Sequence, residues 1–491
     1  MSVARYVPYH LSPLWERHDA YYFERGLEAW DGDIPWKSTS NYAVARQHAE
    51  LTLALLGAGR DEVWIHEVGA GACRFAANFL RALERLGDEG RALLGRLRYV
   101  VSDHSEKTIG EAAARPPLRP WIERGIVVPA LYDARHADPP RALDGKSLSF
   151  RAGLVIANYV ACVLATAGVE RRQGHWRVLH TPATPSSPDG LELAWLRCAL
   201  EDAFADRFHV ELITRYFEER GDGALSYPLG FIDFLRGLGG GGELVMVSDF
   251  GTADHHRTPT GKVRPKLYGA SLNHAVEFAI FDRFAAAARW SVERVTNGER
   301  LLVQALLTRG ELAPPAREAF RRVFAQRSDG SDLLDFAAAA RALNHAGDFA
   351  RGARMFTRAL KLEPDSALLH FELGQSWTAA GEPARALEIL TRGRELDGAA
   401  EHDFDFHLGN AHHGCGELER AIACFERSIA RAPDAATHCN LAIVHHARGD
   451  LARAARALEA ALALDPNYQP AQRARDEWKA AWWAGLTSEP C

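Results

Sequence analysis

Glu67-Val68-Gly69-Ala70-Gly71 follows the apolar run Val63-Trp64-Ile65-His66 and precedes a helix-like stretch over residues 73–86. That order reads as strand, glycine turn and helix N-terminus. Glycine at 69 and 71 lets the backbone approach a ligand that a Cβ would hold off, and free N–H groups at the helix start favour a carboxylate. Glu67, at the strand end, can accept from a ligand's amino group. A dinucleotide fingerprint would continue to a third glycine as G-x-G-x-x-G, but the sixth position here is Arg74, which weighs against a pyrophosphate.

Four further apolar runs extend the pattern. Arg98-Tyr99-Val100-Val101-Ser102-Asp103 ends in an acid, where a doubly wound sheet holds both ribose hydroxyls. Residues 125–132 lead to Asp133, a polar group for an adenine edge. Gly153-Leu154-Val155-Ile156-Ala157-Asn158 ends in an amide, and residues 243–249 follow the glycines 239–242. Five strands alternating with helical segments predict a parallel, Rossmann-like α/β sheet. The turn pair Asn297-Gly298, between Ser291-Val292-Glu293-Arg294-Val295 and residues 301–307, predicts a closing hairpin. A glycine turn, a ribose acid and an adenine edge suit S-adenosylmethionine (SAM), and the hairpin is a feature of class I methyltransferases.

The order of E-V-G-A-G (67–71), V-S-D-H-S (101–105), V-I-A-N (155–158) and S-D-F-G (248–251) resembles the MidA-like SAM-dependent methyltransferases, relatives of a mitochondrial complex I assembly factor that methylates a protein arginine. The likeness spans residues 20–308. It implies a SAM site of Glu67, Gly69, Gly71 and Asp103, with Ser105 just beyond. Gly32-Asp33-Ile34-Pro35 with Thr39 is similar to the family's G-D-F-x-T segment. Where the family shows A-N-E-x-x-D, this chain has Ala157-Asn158-Tyr159-Val160-Ala161-Cys162, so both carboxylates are missing. SAM binding is thereby separated from the family's arginine chemistry. Asn158 and Tyr159, at a strand end where such enzymes hold a nucleophilic amine, are the candidate catalytic residues, with Asn158 also beside the cofactor. For a guanidinium acceptor the candidate carboxylates are Asp31, Asp33, Glu218, Glu219 and Asp249.

The second half of the chain is repetitive. Gly347, Gly381, Gly416 and Gly449 are spaced by 34, 35 and 33 residues, and Pro364, Gly398, Pro433 and Pro466 repeat the same intervals. That is a tetratricopeptide (TPR) array of four units, each with a small residue (Ala340, Gly374, Gly409, Ala442) where paired helices approach. An all-α solenoid follows, sealed by a capping helix carrying Trp478, Trp482 and Trp483. Counting along the units puts Phe371, Phe406, Asn410, His413 and His446 in a groove for a protein or peptide. The pairs His412/His413 and His445/His446 have no cysteine or carboxylate at ligand spacing, so no metal is expected.

These readings divide the chain into an N-terminal helical substrate segment (1–45), a methyltransferase domain (46–310) with a helical cap insertion (165–238), a linker (311–332), four repeats (333–468) and a capping helix and tail (469–491). Segments 14–45 and 165–238, rich in aromatics such as Tyr22, Trp30, Trp176, Tyr216 and Tyr227, are the expected substrate walls.

At 491 residues, 47% hydrophobic and 25% charged, the chain has material for more than one core. A net charge of −6 gives no footprint for nucleic acid. Seven cysteines without a C-x-x-C pair fit reduced thiols. Residues 1–36 lack the apolar centre of a signal peptide and no later run is long enough to cross a bilayer, so a cytoplasmic protein without membrane contact is expected. The expected activity is SAM-dependent methylation, on nitrogen and with arginine as one candidate acceptor, of a polypeptide held by the repeats. Its rivals are a small-molecule methyltransferase and an adaptor or assembly factor with a degenerate SAM domain. A homo-oligomer is compatible with each.

Overall fold

The structure is a computed structural model describing residues 6–32, 40–136, 138–184, 191–238, 244–252, 263–295, 302–324, 331–396 and 402–486, with backbone alone at 31–32, 331–335 and 480–486. It divides into two compact units, Met1–Gly330 and Ser331–Cys491.

The first unit is built on a mixed sheet. Its core strands are β1 (Val63–Val68), β2 (Leu97–Asp103), β3 (Val127–Leu131), β4 (Leu154–Asn158), β5 (Leu244–Thr252), β6 (Trp290–Val295) and β7 (Leu302–Arg309). They lie in the order β6-β7-β5-β4-β1-β2-β3, extended past β3 by the short strand Arg141–Ala142. Pairings from β5 through β3 are parallel, whereas β7 runs antiparallel to both β5 and β6. The expected hairpin is therefore formed by β6 and β7; its Asn297-Gly298 turn lies outside the described residues, as do Gly239 to Gly242.

The central strands are apolar along their length because both faces are covered. Along β4, Val155 and Ala157 face a core with Phe231, Phe281 and Phe284. The alternate residues Leu154 and Ile156 face the other core, with Phe75, Phe79 and Leu83 of helix α3 (Arg74–Arg85). Helices α1 (Leu14–Arg25) and α2 (Tyr42–Leu56) precede the sheet, and α4 (Glu106–Ala114) follows β2. Helix Pro314–Phe324, within the segment expected as linker, belongs to this unit: Phe320 and Phe324 are buried in the second core and Phe324 meets the His48 ring edge-on.

The insertion 165–238 departs from the helical cap expected. Strands Ala167–Arg172, His175–Pro182, Ala194–Arg197 and Gly223–Tyr227 join Tyr6–Pro8 in a second, antiparallel sheet, backed by helices Arg207–Arg220 and Leu229–Gly237. Burial grades along both strands, from Val169 and Val178 in the core to Arg172 and His175 exposed at the hairpin tip. Between them Gln173 and Gly174 both have positive φ (51° and 73°), as a two-residue hairpin turn requires.

The second unit contains nine described helices from Ser331–His345 to Gln469–Leu486. The glycines that set the repeat period have φ of 77–84° and end each first helix. Asp348, Ser366, Asp403, Asp434 and Asp450 cap helices by accepting a backbone N–H. At Gly409 a Cβ would lie 2.6 Å from the Phe425 ring, which is why the helix pair needs a small residue there.

Candidate functional site

At the C-terminal end of β1 the chain turns sharply into α3. Gly69 and Gly71 have φ of +64° and +50°, and Cys73, φ +53°, starts the helix with no side-chain cap. The sheet order reverses here: β2 and β3 lie to one side of β1, β4 and β5 to the other. An open parallel sheet has its ligand crevice at such a point. The Gly71 N–H donates to Asp103 Oδ2 (3.1 Å). Asp103 Oδ1 accepts the Ser105 N–H (3.0 Å) and lies 3.2 Å from His104 Nδ1. A carboxylate has about four lone-pair sites, so Asp103 keeps acceptor capacity beyond these bonds.

A cleft of about 800 Å³, open solvent included, lies over this turn. Val68, Gly69, Asp103, Tyr132, Asp133 and Tyr159 form its floor; Trp15, His18, Asp19, Tyr22 and Trp30 reach it from the N-terminal segment. Arg135 joins the two sides, bonding Asp133 through Nε (2.8 Å) and Nη2 (2.7 Å) and Asp19 through Nη1. Burial works to raise the Asp133 carboxyl, but the Arg135 bonds outweigh it and hold the group below its ordinary range. For His104, burial opposes the charged ring, yet Asp103 and Asp19 raise it above the ordinary value. His18 is pushed down to about 3 by burial. Its Nδ1 accepts the Leu272 N–H (2.9 Å), so its proton sits on Nε2.

The expected site residues separate into three groups. Gly69, Asp103, Asp133 and Tyr159 line the cleft together, and Gly71 sits against Trp30, whose ring would lie 2.4 Å from a Cβ at that position. Two others have local duties. Ser105 caps α4, accepting the Thr108 N–H at 3.2 Å, and is fully buried. Glu67, expected to meet a ligand's amino group, lies beneath the turn: it is 2% exposed, accepts from the Tyr99 hydroxyl (2.9 Å), and burial raises its carboxyl to about 8. Strand alternation explains this, since Val68 takes the cleft-facing place. Asn158 is 7% exposed and neither amide atom has a hydrogen-bond partner of normal geometry.

Of the carboxylates considered for a guanidinium, Asp249 is sealed under the chain after β4 and Glu219 is paired with Arg283. The Asp31 side chain and Asp33, with Ile34, Pro35 and Thr39, lie outside the described residues. Tyr22 and Trp30, expected in the substrate walls, line the cleft, whereas Trp15, Asp19 and Arg135 were not singled out from the sequence. The signal was present: residues 15 and 19 share one helix face with Tyr22, and Arg135 stands two residues from Asp133. Tyr216, Phe217 and Tyr227 fill the core under the insertion instead.

On the repeats, side chains of successive first helices are joined to one another. Arg341 bonds Glu372 with two nitrogens (2.6 and 2.9 Å), Asn344 bonds Ser376 (2.7 Å), Gln375 meets His407 (2.9 Å) and Asn440 donates to Asn410 (2.8 Å). Phe371 packs on the rings of His402, Phe404 and His407, and Phe406 on His407 and Phe425. His446 stacks on Trp478 of the last helix at 4.3 Å, while His413 is half-buried. Four of the five expected groove residues thus also hold helix to helix. Among the described residues no cluster of three or more His, Cys, Asp or Glu could hold a metal ion, and no helix is long and apolar enough to cross a membrane.

A tetratricopeptide-repeat family model matches residues 337–401 and 406–469. Among solved structures, MamA is 26% identical over 27% of this chain and 77% of its own, with a TM-score of 0.25. YrrB, described as a TPR protein with an unusual peptide-binding site, is 19% identical over 32% of this chain and 79% of its own, at a TM-score of 0.28. The second TPR domain of human RPAP3, solved with an HSP70 peptide, is 18% identical over 23% of this chain and 94% of its own, at a TM-score of 0.22. Among curated proteins, no sequence matches the chain. The C-terminal unit is a tetratricopeptide-repeat solenoid.

Proposed function

We propose that the first unit binds SAM and transfers its methyl group to an acceptor on a polypeptide captured by the TPR solenoid. The observation that carries the reading is the Gly69–Gly71 turn, bonded to the acid at the end of β2 (3.1 Å) where the sheet order reverses. The residues present suit the ligand. Backbone N–H groups of the uncapped α3 start favour its carboxylate, Asp103 retains capacity for a ribose hydroxyl, and Asp19, Asp103 and Asp133 in the cleft lining outnumber Arg135 and His104, which suits a sulfonium cation. The antiparallel β6–β7 hairpin beside a parallel sheet supports a class I methyltransferase fold.

SAM supplies an electrophilic methyl group; the chain's part is positioning and exclusion of water. Trp15, Tyr22, Trp30 and Tyr159 wall the cleft with rings. Asn158 and Tyr159 stand at the end of β4, where an acceptor amine would be held. His104, raised above its ordinary value by Asp103 and Asp19 against the effect of burial, places Nδ1 3.2 Å from Asp103 Oδ1. Incubating the chain with methyl-labelled SAM and polypeptides from its own cell tests the reading: label on a discrete polypeptide supports it, and label on small molecules alone transfers it to a small-molecule acceptor.

An adaptor reading draws on one specific contact, the Trp30 indole seated over Gly71. In that reading the repeats bind the partner and the sheet unit holds a ligand without turnover. Binding of SAM with no label on any acceptor favours it.

A further inference from the structure

Tyr159 follows β4 with φ +61°, in the left-handed region that a residue with a bulky side chain rarely enters. Such a conformation persists only where the surroundings over-determine it. The surroundings are explicit. The Tyr159 N–H donates to Ser248 O (2.9 Å) on neighbouring β5, and the Cys162 carbonyl accepts the His274 N–H (2.8 Å). Between them the Cys162 N–H donates to Asp249 Oδ2 (3.0 Å), while Oδ1 accepts the Phe250 N–H (2.8 Å). The Ala161 N–H and the Cys162 thiol also face this carboxyl. Residues 159–162 are thus an arch sewn to the end of β5.

The arch bears on the cleft from two directions. Tyr159 and Val160 line it, and Val160 Cγ2 would lie 3.0 Å from a Cβ at Gly69. Asp249 itself is 0% exposed and does not line the cleft. Among the described residues no ion pair reaches it. A buried carboxylate without a cation is costly unless backbone donors satisfy it. Here the Phe250 N–H comes from β5 itself and the donor to the other oxygen, the Cys162 N–H, from the arch. An amide in its place would turn an NH₂ group toward an N–H, so the acid is the side chain that can receive both ends of this arrangement.

We infer that Asp249 is a positioning residue, which holds Tyr159 and Val160 against the glycine turn by accepting the N–H groups of the arch, and so sets the cleft wall beside bound SAM. The inference rests on the SAM reading for its ligand and on geometry alone for its clamp. Its expected effect is indirect: Asp249 touches the arch, and the arch touches the ligand.

Two measurements on the full chain test it. Amide hydrogen exchange needs no ligand: Asp249→Asn should speed exchange at residues 159–163 by about 100-fold, while the repeat helices keep wild-type rates. Unchanged exchange in the arch overturns the inference whether or not SAM binds. Calorimetry with SAM then takes a double-mutant cycle. Asp249→Asn alone should weaken binding about 10-fold, and in a Tyr159→Ala background the same change should cost less than about twofold, because the arch no longer carries its wall. An equal 10-fold loss in both backgrounds would mark a merely structural acid and overturn the positioning role. A wild type that binds no SAM removes the reading in the preceding subsection and leaves the clamp to stand or fall on exchange.

Discussion

The two units hold themselves together in different ways. In the repeat unit each buried face meets a neighbour one helix away, as Phe425 meets Gly409 and Leu390 meets Gly374. In the sheet unit the determining contacts are distant in sequence: β4 lies between β1 and β5, and Ser248 meets His48 across 200 positions. Local contacts repeat and can be counted, whereas distant ones can only be located once the chain has folded. The sheet unit also buries ionisable groups near its cleft, with Glu67 raised to about 8 and Asp249 to about 7 by burial.

The largest expected effects test this division directly. Phe79→Ala and Phe425→Ala each remove a fully buried ring and should each cost about 3–5 kcal/mol. Their spread should differ. Phe79→Ala should raise amide exchange across β1, β2 and α3 together, since they share one core. Phe425→Ala should raise it in the helices of its own and adjacent repeats, as nearest-neighbour coupling in a solenoid requires. Uniform loosening of the whole chain by either change would break the comparison.

A second effect separates the units by pH. Glu67 and Asp249 release their protons near their ordinary values when unfolded and near 8 and 7 when folded. Below about pH 7 the histidines that burial lowers, His10, His18, His48, His66 and His274, oppose their effect by taking up protons only when unfolded. Between about pH 7.5 and 8.5 these histidines are neutral in both states, so the folded sheet unit binds more protons than the unfolded chain and its stability falls as pH rises. The slope is about 1.4 kcal/mol per pH unit for a group fully protonated in one state only. In the repeat unit His407, lowered to about 4 by burial, penalises acid and is neutral in both states above about pH 7.5. Melting followed separately in the two units should show the sheet unit falling and the repeat unit level over this window. Glu67→Gln should flatten most of the slope; an unchanged slope would remove Glu67 from the account.

How much was legible follows the same line. The repeat period, the small residues at helix contacts and the terminal helix could be read because each unit restates the rule. The alternating core strands and the hairpin were legible from apolar runs with polar ends. The antiparallel insertion was missed because the stretch from Ala167 to Pro182 has no clean apolar–polar alternation, its burial grading toward the hairpin tip, and its turn is Gln173-Gly174, a less familiar pair than Asn-Gly. Asp19 and Arg135 escaped notice because their meeting joins α1 to the end of β3, a distance sequence spacing does not express. Glu67 lies beneath the turn, bonded to Tyr99, a placement that was not legible because a motif gives residue order but not which alternate side chain faces the cleft.

Smaller effects sharpen the reading of the groove. His446→Ala loses the stack on Trp478 and should cost about 0.5–1.5 kcal/mol in the repeat unit. Asn410→Ala removes the bond from Asn440, about 0.5–1.5 kcal/mol. Because both residues hold helices together, denaturant melting should register these losses before any change in partner binding is attributed to lost contacts. Wild-type stability in both variants would return them to the role of free groove residues. A chain ending at Gly330, which retains the whole first unit, should bind SAM within about twofold of the full chain; loss of that binding would show that the ligand site needs the repeats.

The central claim is that the turn at Gly69 and Gly71, with the acid at the end of β2, is a SAM site. Calorimetric titration of SAM into the wild type and Asp103→Ala tests it most directly. The account predicts one site per chain in the wild type and about 10- to 100-fold weaker binding in the variant, from the loss of charge-assisted bonds to the ribose. No heat of binding in the wild type, or equal affinity in the two proteins with the variant folded, would contradict it.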